Sequence, residues 1–340
     1  MWLRNEISIA ARSQRAMIRA GLLLGLLGLM AASALVIYQG AGPVLATFAS
    51  AGWGLLWVAL YHVAPMLANA RAWQVLLPGR TQPTFAFFTW MVWVREAVNS
   101  MLPVARIGGE VAGAWLLTTR GVRKRPAAAT LVVDMTMSLV SQLAFTLIGV
   151  GLLVTRGGDQ SVAASVGLGL VIALPILTAF GLVQRIGIFG FFGRLFHLAF
   201  GDRFERMVGG ARALDRAVHL IYRRPGRILA CGIWQLVGWI VSAGETWIGL
   251  LVLGHPVGVG DAIMVTALIE AASSSAFLVP GALGVQEGSF LILGHVLGLP
   301  SEVSLALALV RRARDVLVYG PALGLWQLVE GRRLIMRSSP

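Results

Sequence analysis

The chain is organised around a series of apolar runs, each close to the length of one bilayer crossing, at roughly 21–38, 52–77, 84–102, 126–154, 162–183, 227–253, 261–279 and 303–329. Spanning ~30 Å of hydrocarbon takes ~20 apolar residues in a helix. A helix satisfies its own backbone N–H and C=O groups, which lipid cannot do. The runs predict an all-α, polytopic membrane protein with about 8 long transmembrane helices in a single integral membrane domain, residues 1–340. Charged residues occupy 13% of the chain, against about a quarter in soluble domains, which excludes an ordinary soluble enzyme.

Two shorter apolar pieces, 108–119 and 288–298, do not fit that scheme. A helix of about twelve residues covers only ~18 Å, so each is expected to be a short broken or re-entrant helix that starts within the membrane. Lys and Arg number 28 against 15 Asp and Glu, a net charge of +13. The basic residues flank apolar runs instead of interleaving with aromatics, so topology explains them and nucleic acid is not an expected partner. Clusters at Arg4, Arg12, Arg15 and Arg19, at Arg120, Arg123, Lys124 and Arg125, across 185–227, and at Arg332, Arg333 and Arg337 are placed in the cytoplasm with both termini. Connections 39–51, 155–161 and 254–260, which hold little Lys or Arg beyond Arg156, are placed opposite. The 21–38 run is longer than a usual signal core and lacks a small-x-small cleavage site, so it is read as an uncleaved first span. Between 185 and 224, Phe204, Met207, Val208, Ala211, Leu214, Val218 and Ile221 recur at helical spacing opposite Arg203, Arg206, Arg212 and Arg216. This connector is expected to lie as an amphipathic helix on anionic phospholipid headgroups; the competing reading is a solvated linker.

An internal repeat is suggested by placement more than by identity. Pro103 precedes Glu110 by seven residues and Pro280 precedes Glu287 by seven (110 − 103 = 287 − 280), at an offset of 177. Each Pro/Gly turn lies between a long apolar run and a short one. Charge topology makes half A, about 52–183, antiparallel to half B, about 227–329, the inverted-repeat plan of many secondary transporters. Pro103, Gly108, Gly109, Pro280, Gly281, Gly284 and Gly288 supply the fixed and permissive φ that broken helices need. Non-helical chain at membrane depth must line protein or a watery cavity, so Pro103 to Glu110 and Pro280 to Glu287 are expected to meet at a central cavity.

An ionisable side chain at the centre of a span costs about 2.5–3.5 kcal/mol on insertion scales, so each one needs a reason. Arg106, Glu110, Asp134, Glu245, Glu270, Gln286, Glu287, Arg311 and Arg314 are the candidate translocation-path residues, lining a polar track for a lipid headgroup or a coupling proton. The competing reading is a set of internal ion pairs that hold broken helices together. The adjacent pairs Arg95 with Glu96, Arg311 with Arg312 and Arg314 with Asp315 point apart on a helix, which leaves at least one of each near an interface. Catalytic motifs are lacking: no Asp-x-Asp, Gly-x-Ser-x-Gly, His-Glu-x-x-His or Walker loop occurs, and His62, His197, His219, His255 and His295 are scattered. Cys231 stands alone. No catalytic residue, metal or cofactor is assigned, and a transporter is expected before an enzyme.

The stretch Arg106-Ile-Gly-Gly-Glu110-Val-Ala-Gly-Ala-Trp-Leu-Leu, then Arg120-Gly121-Val122 and Val133-Asp134, carries a family likeness. So do Gly244-Glu245, Phe277-Leu-Val-Pro280-Gly-Ala-Leu-Gly284-Val-Gln286-Glu287-Gly288 and Arg311-Arg-Ala-Arg314-Asp315. Over most of 60–330 the chain resembles the lysylphosphatidylglycerol-synthase transmembrane-region superfamily of flippase-like proteins, and within it the hopanoid-biosynthesis-associated membrane proteins. The resemblance implies a multi-pass protein of the bacterial inner membrane that moves a lipid between leaflets or towards the outer membrane, with hopanoids the favoured cargo. It also implies relatives that handle polyprenyl-phosphate sugars or aminoacylated phospholipids. Full-length lysyl-lipid synthases carry a soluble aminoacyl-transfer domain after this region, and this chain is expected not to aminoacylate. A membrane-embedded transferase acting on a lipid-linked sugar, and a scaffold for lipid synthesis, are the competing functions.

The charge asymmetry makes a direct prediction. In a Cys231→Ser background, a cysteine placed at Arg212 should resist membrane-impermeant thiol reagent in intact cells and react after lysis; labelling from outside contradicts the orientation.

Overall fold

The computed structural model describes residues 40–77, 83–102, 108–156, 205–275, 279 and 282–338, with 30, 33, 34, 37 and 38. Among the described residues there is no strand. The helices are α1 (Ala41–Ser50), α2 (Gly54–Tyr61), α3 (Val63–Leu76), α4 (Phe85–Met101), α5 (Gly108–Thr119), α6 (Lys124–Thr155), α7 (Glu205–Tyr222), α8 (Pro225–Val252), α9 (Val259–Ser275), α10 (Val285–Val296) and α11 (Ser301–Ser338). The all-α expectation holds. The runs at 21–38 and 162–183, and the connector before Glu205, lie outside the described residues.

The expected count of about 8 long spans is not reached among the described residues. Two helices, α6 at 32 residues and α8 at 28, are long and apolar enough to cross a membrane; α1 with the helical stretch Gly54–Leu76, bent by 74°, makes up to 3. The shortfall has physical causes. Helices α4 and α9 have 17 residues each, and α11 carries three arginines and an aspartate between 311 and 315. A second difference concerns 39–51, expected as a connection: it folds largely as α1, which packs on α11 and buries Val44 completely.

The helix boundaries repeat. α5 and α10 have 12 residues each, and their starts and ends are offset by the same interval, as are the starts of α6 and α11 (285 − 108 = 296 − 119 = 301 − 124 = 177). The 17-residue α4 and α9 precede the two short helices.

The chain forms two compact units, Met1–His62 with Trp93–Ala112 and Gly244–Pro340, and Val63–Val92 with Gly113–Ala243. In the second, α6 is the spine. Val218 and Ile221 of α7 join Ala129 and Val133 of α6, Ala72 and Leu76 of α3, and Cys231 in one buried cluster. The apolar stripe expected to lie on lipid is thus turned onto protein in its described portion, while Arg216, Arg223 and Arg224 stay exposed. Fully buried Trp73 donates its indole N–H to Thr130 Oγ1 at 3.2 Å.

In the first unit α11 packs on α1, α2 and α10, and α9 packs on α10. Its middle also meets α4, where Ala97, Tyr319 and Ala322 are buried together and Trp93 donates to the Val318 carbonyl at 2.8 Å. The start of α5 lies so near α4 that a Cβ at Gly109 would overlap the Arg95 carbonyl oxygen and the Asn99 side chain. At Gly288, inside α10, an added Cβ meets nothing within 4 Å. Gly109→Ala should therefore lower thermal stability in detergent by about 1–3 kcal/mol, the usual cost of forcing atoms into a packed site. Gly288→Ala should be neutral or stabilising by up to about 1 kcal/mol, since alanine is the better helix former. Equal melting temperatures for the two variants would contradict the close α4–α5 approach.

Candidate functional site

The charged residues of α11 organise the first unit. Successive helical residues are turned by about 100°, so Arg311, Arg312 and Arg314 cannot share a face. Each meets a glutamate from a different helix. Arg311 pairs with Glu270 of α9. Arg312 lies 3.1 Å from Glu287 of α10, and Arg314 lies 3.1 Å from Glu245 of α8. The adjacent Asp315 gives Arg314 a second carboxylate at 3.3 Å. Glu245, Glu270, Glu287 and Arg314 are all buried, Arg314 to 3% exposure. Arg311 and Arg312 diverge to partners on different helices, as expected of neighbouring charges, whereas Arg314 with Asp315 and Arg95 with Glu96 pair with each other instead of pointing apart.

Two further groups, His62 and Tyr319, close around Arg314. His62, at the end of α2, puts Nδ1 2.6 Å from Glu245 Oε1 and Nε2 2.7 Å from the Tyr319 hydroxyl. An Arg314 terminal nitrogen sits 2.7 Å from Nδ1 and 3.1 Å from Nε2. The tyrosine ring meets the imidazole edge to face at 84°. Gly244, beside Glu245, admits the Tyr61 hydroxyl where any Cβ would collide with it. Small residue and large neighbour together bring α2 and α8 close enough for the His62–Glu245 contact.

Glu287 is the third residue of α10. One of its oxygens accepts the Gly284 N–H at 2.7 Å and the other accepts from Arg312 Nε at 3.1 Å. Gly284 reaches this capping turn with φ of 80°, a conformation suited to glycine. Glu110 is the third residue of α5, but the cap there comes from α4: Asn99 Oδ1 accepts the Gly109 N–H at 2.9 Å, and its amide N lies 3.4 Å from Glu110. Arg95, buried and paired with Glu96 at 3.0 Å, lies 3.8 Å from Glu110. Gln286 is buried in α10.

The structure brings Glu245, Glu270, Glu287, Arg311 and Arg314 together around α11 and gives Glu110 its own partners on α4. Asp134 belongs to the other unit, where its carboxylate takes the Gln235 amide N–H at 2.8 Å. Arg106, Pro103, Pro280 and Gly281 lie outside the described residues. Among the hinge candidates, Gly108 begins α5, Gly109 is needed for close approach and Gly288 is an ordinary helical residue. His62, Tyr319 and Asn99 are absent from the sequence candidates. His62 had a usable signal, since it sits in the 52–77 apolar run just as Asp134 sits in its own run. Tyr319 had none, because its partner His62 lies 257 residues away, and Asn99 had none, because its contacts with Gly109 and Glu110 depend on how α5 packs on α4. Among the described residues no group of three or more His, Cys, Asp or Glu is placed to hold a metal ion.

The family model for the lysylphosphatidylglycerol synthase TM region matches residues 20–322. The chain belongs to that family, whose members are membrane proteins of lipid-related function. No curated protein and no solved structure matches the chain, so its membership rests on the family pattern.

Removing one member of a buried ion pair leaves the other uncompensated and costs about 3–5 kcal/mol, whereas replacing both with apolar residues is often neutral. Arg311→Met should be strongly destabilising, and Arg311→Met with Glu270→Leu should recover most of the loss in a detergent melting assay. Additive losses would show that the two side chains are not coupled.

Proposed function

We propose that this chain, as a member of that family, moves a lipid between the leaflets of the bacterial inner membrane. The observation that carries the proposal is the ring of buried Arg–Glu pairs joining α11 to α8, α9 and α10. Charges at apolar depth are expensive and mark substrate or ion pathways in membrane proteins. Paired partners that exchange can offer a polar headgroup a succession of counter-charges while no bare charge faces lipid.

The finer parts of the reading are an inverted repeat, about eight spans when the runs outside the described residues are included, and termini in the cytoplasm. The common offset of α5 with α10 and of α6 with α11 supports the repeat. Exposed Arg120, Arg123, Lys124 and Arg125 at the α5–α6 turn and Arg216, Arg223 and Arg224 around the end of α7 support an inward-facing basic surface for anionic headgroups. Hopanoids are the proposed cargo, on the likeness carried by the 106–122 and 277–288 segments. A deletion strain separates transport from chemistry: a transporter leaves its lipid made but misplaced between leaflets, whereas a lipid-sugar transferase leaves a product missing.

Transport requires groups that interact differently with inward-facing and outward-facing states, since equal contacts shift nothing. Glu110→Gln and Glu287→Gln keep size and remove charge. Compared at matched abundance in the membrane, each should fail to restore lipid distribution in the deletion strain where the unaltered chain restores it. Near-normal restoration by both returns them to a structural role.

A further inference from the structure

We propose that the end of α9 and the start of α10 form a binding site for a hydroxyl of an uncharged lipid headgroup, held by Gln286 and Glu287. This names the class of cargo and rests on the lipid-moving reading above, although its test does not measure movement. The argument compares two helix junctions within one unit. Helices α4 and α9 both have 17 residues, and Asn99 and Ser273 each stand two before the end (101 − 99 = 275 − 273). Helices α5 and α10 both have 12 residues, with Gly109 and Gln286 second in each and Glu110 and Glu287 third. Between α4 and α5 the polar groups are closed on one another: Asn99 Oδ1 accepts the Gly109 N–H at 2.9 Å, and the Asn99 amide donates to Glu110 at 3.4 Å.

Between α9 and α10 the same positions are open. Ser273 is fully buried, and its Oγ has no hydrogen-bond partner. The side-chain amide of Gln286, a residue only 7% exposed, has none among the described residues, and neither do the N–H groups of Val285 and Gln286. Covalent geometry accounts for the difference. A serine oxygen stands one bond from Cβ where the asparagine oxygen stands two, so Ser273 reaches less far. At Gly109 a Cβ would overlap the Arg95 carbonyl oxygen and the Asn99 side chain; Gln286 carries that Cβ, so α10 cannot approach its neighbour as α5 does. Buried polar groups are nearly always paired, and two on facing helix ends call for a partner from outside the chain.

The Asn99 amide shows what that partner must do: present an oxygen to the second N–H of the short helix and a proton to the glutamate that follows. A hydroxyl does both. Glu287 already accepts from the Gly284 N–H and from Arg312, and an ionised carboxylate has lone pairs for a further donor. Side chains lean towards the N-terminus of their helix, which turns the Gln286 amide towards the free N–H groups. Charge selects against an ion. Arg312 matches Glu287 and Arg311 matches Glu270, so an ionised group arriving here would be unmatched at apolar depth, where charge is costly. Val285, at the very start of α10, is 36% exposed, which leaves this end of the helix open to an arriving headgroup.

The test uses the full chain with ¹⁵N-labelled glutamine, in nanodiscs of phosphatidylcholine, which has no hydroxyl. Diacylglycerol, whose headgroup is a single hydroxyl, is titrated in, and the side-chain amide resonance of Gln286, assigned by its loss in Gln286→Asn, is followed. Two probes with the same acyl chains are compared: the methyl ether of diacylglycerol, which keeps the oxygen but has no proton for Glu287, and phosphatidic acid, which is charged. The proposal expects a saturable shift with diacylglycerol and binding of either other probe weaker by at least about tenfold, the effect of one hydrogen bond to a charged group. Ser273→Asn, which installs the residue that α4 carries, should fill the site from within, raising the melting temperature and abolishing the response. If Ser273→Asn does not accumulate, Glu287→Gln takes its place and should weaken diacylglycerol binding by the same factor. No saturable shift, the result for a site that holds only water, overturns the proposal. So does an equal response to the methyl ether, tighter binding of phosphatidic acid, or unchanged diacylglycerol binding in the variant. Lipid movement is scored separately in the deletion strain: a chain that moves lipid without this response keeps the transport reading and loses the site, and a chain that responds without moving lipid does the reverse.

Discussion

Three arginines packed into four residues of one helix have no common face, and in an apolar chain none can be left without a counter-charge. That constraint fixes much of the first unit. Helix α11 must be surrounded, on the sides where Arg311, Arg312 and Arg314 emerge, by helices that each bring a glutamate, and α9, α10 and α8 do so with Glu270, Glu287 and Glu245. Buried ion pairs give little net stability over apolar packing of the same shape, but losing one partner is severe. They therefore act as a register: a slip of α11 by one residue would strand several charges at once. In the second unit, with Asp134 held by the neutral Gln235, apolar packing of α7 and α3 on α6 is the larger contributor.

The short helices add a second constraint. A 12-residue helix exposes a large fraction of its polar ends, and both α5 and α10 need their first N–H groups satisfied. The solutions differ. In α10 Glu287 turns back onto Gly284 and still reaches Arg312; in α5 the cap is lent by Asn99, and Glu110 faces Arg95 and Asn99 instead. Two helices of equal length and offset therefore place equivalent glutamates in unlike surroundings.

Apolar length and the Pro/Gly breaks made the helices legible: the boundaries of α4, α5, α6 and α8 fall within a few residues of the apolar runs. The stretch 39–51 read as a connection because a chargeless segment does not by itself distinguish a loop from a helix, and most of it folds as α1. Which charges meet was not legible. At least one of Arg311 and Arg312 read as set near an interface, and His62 looked incidental, because its pairing with residues 183 and 257 positions away is a tertiary fact. Sequence gave the cost of each buried charge, and packing supplied the partner.

The family assignment and the buried charges meet in one claim, that this chain moves lipid across a bilayer. The most direct measurement reconstitutes the purified full chain in vesicles made from the lipids of its own cells. Outer-leaflet lipids are labelled with a membrane-impermeant reagent, and the labelled fraction of each lipid class is followed over time by mass spectrometry against protein-free vesicles. The account predicts that one lipid class becomes labelled beyond its outer-leaflet share only when the protein is present, and that Glu287→Gln removes the effect. Identical labelling of every class with and without protein would contradict it.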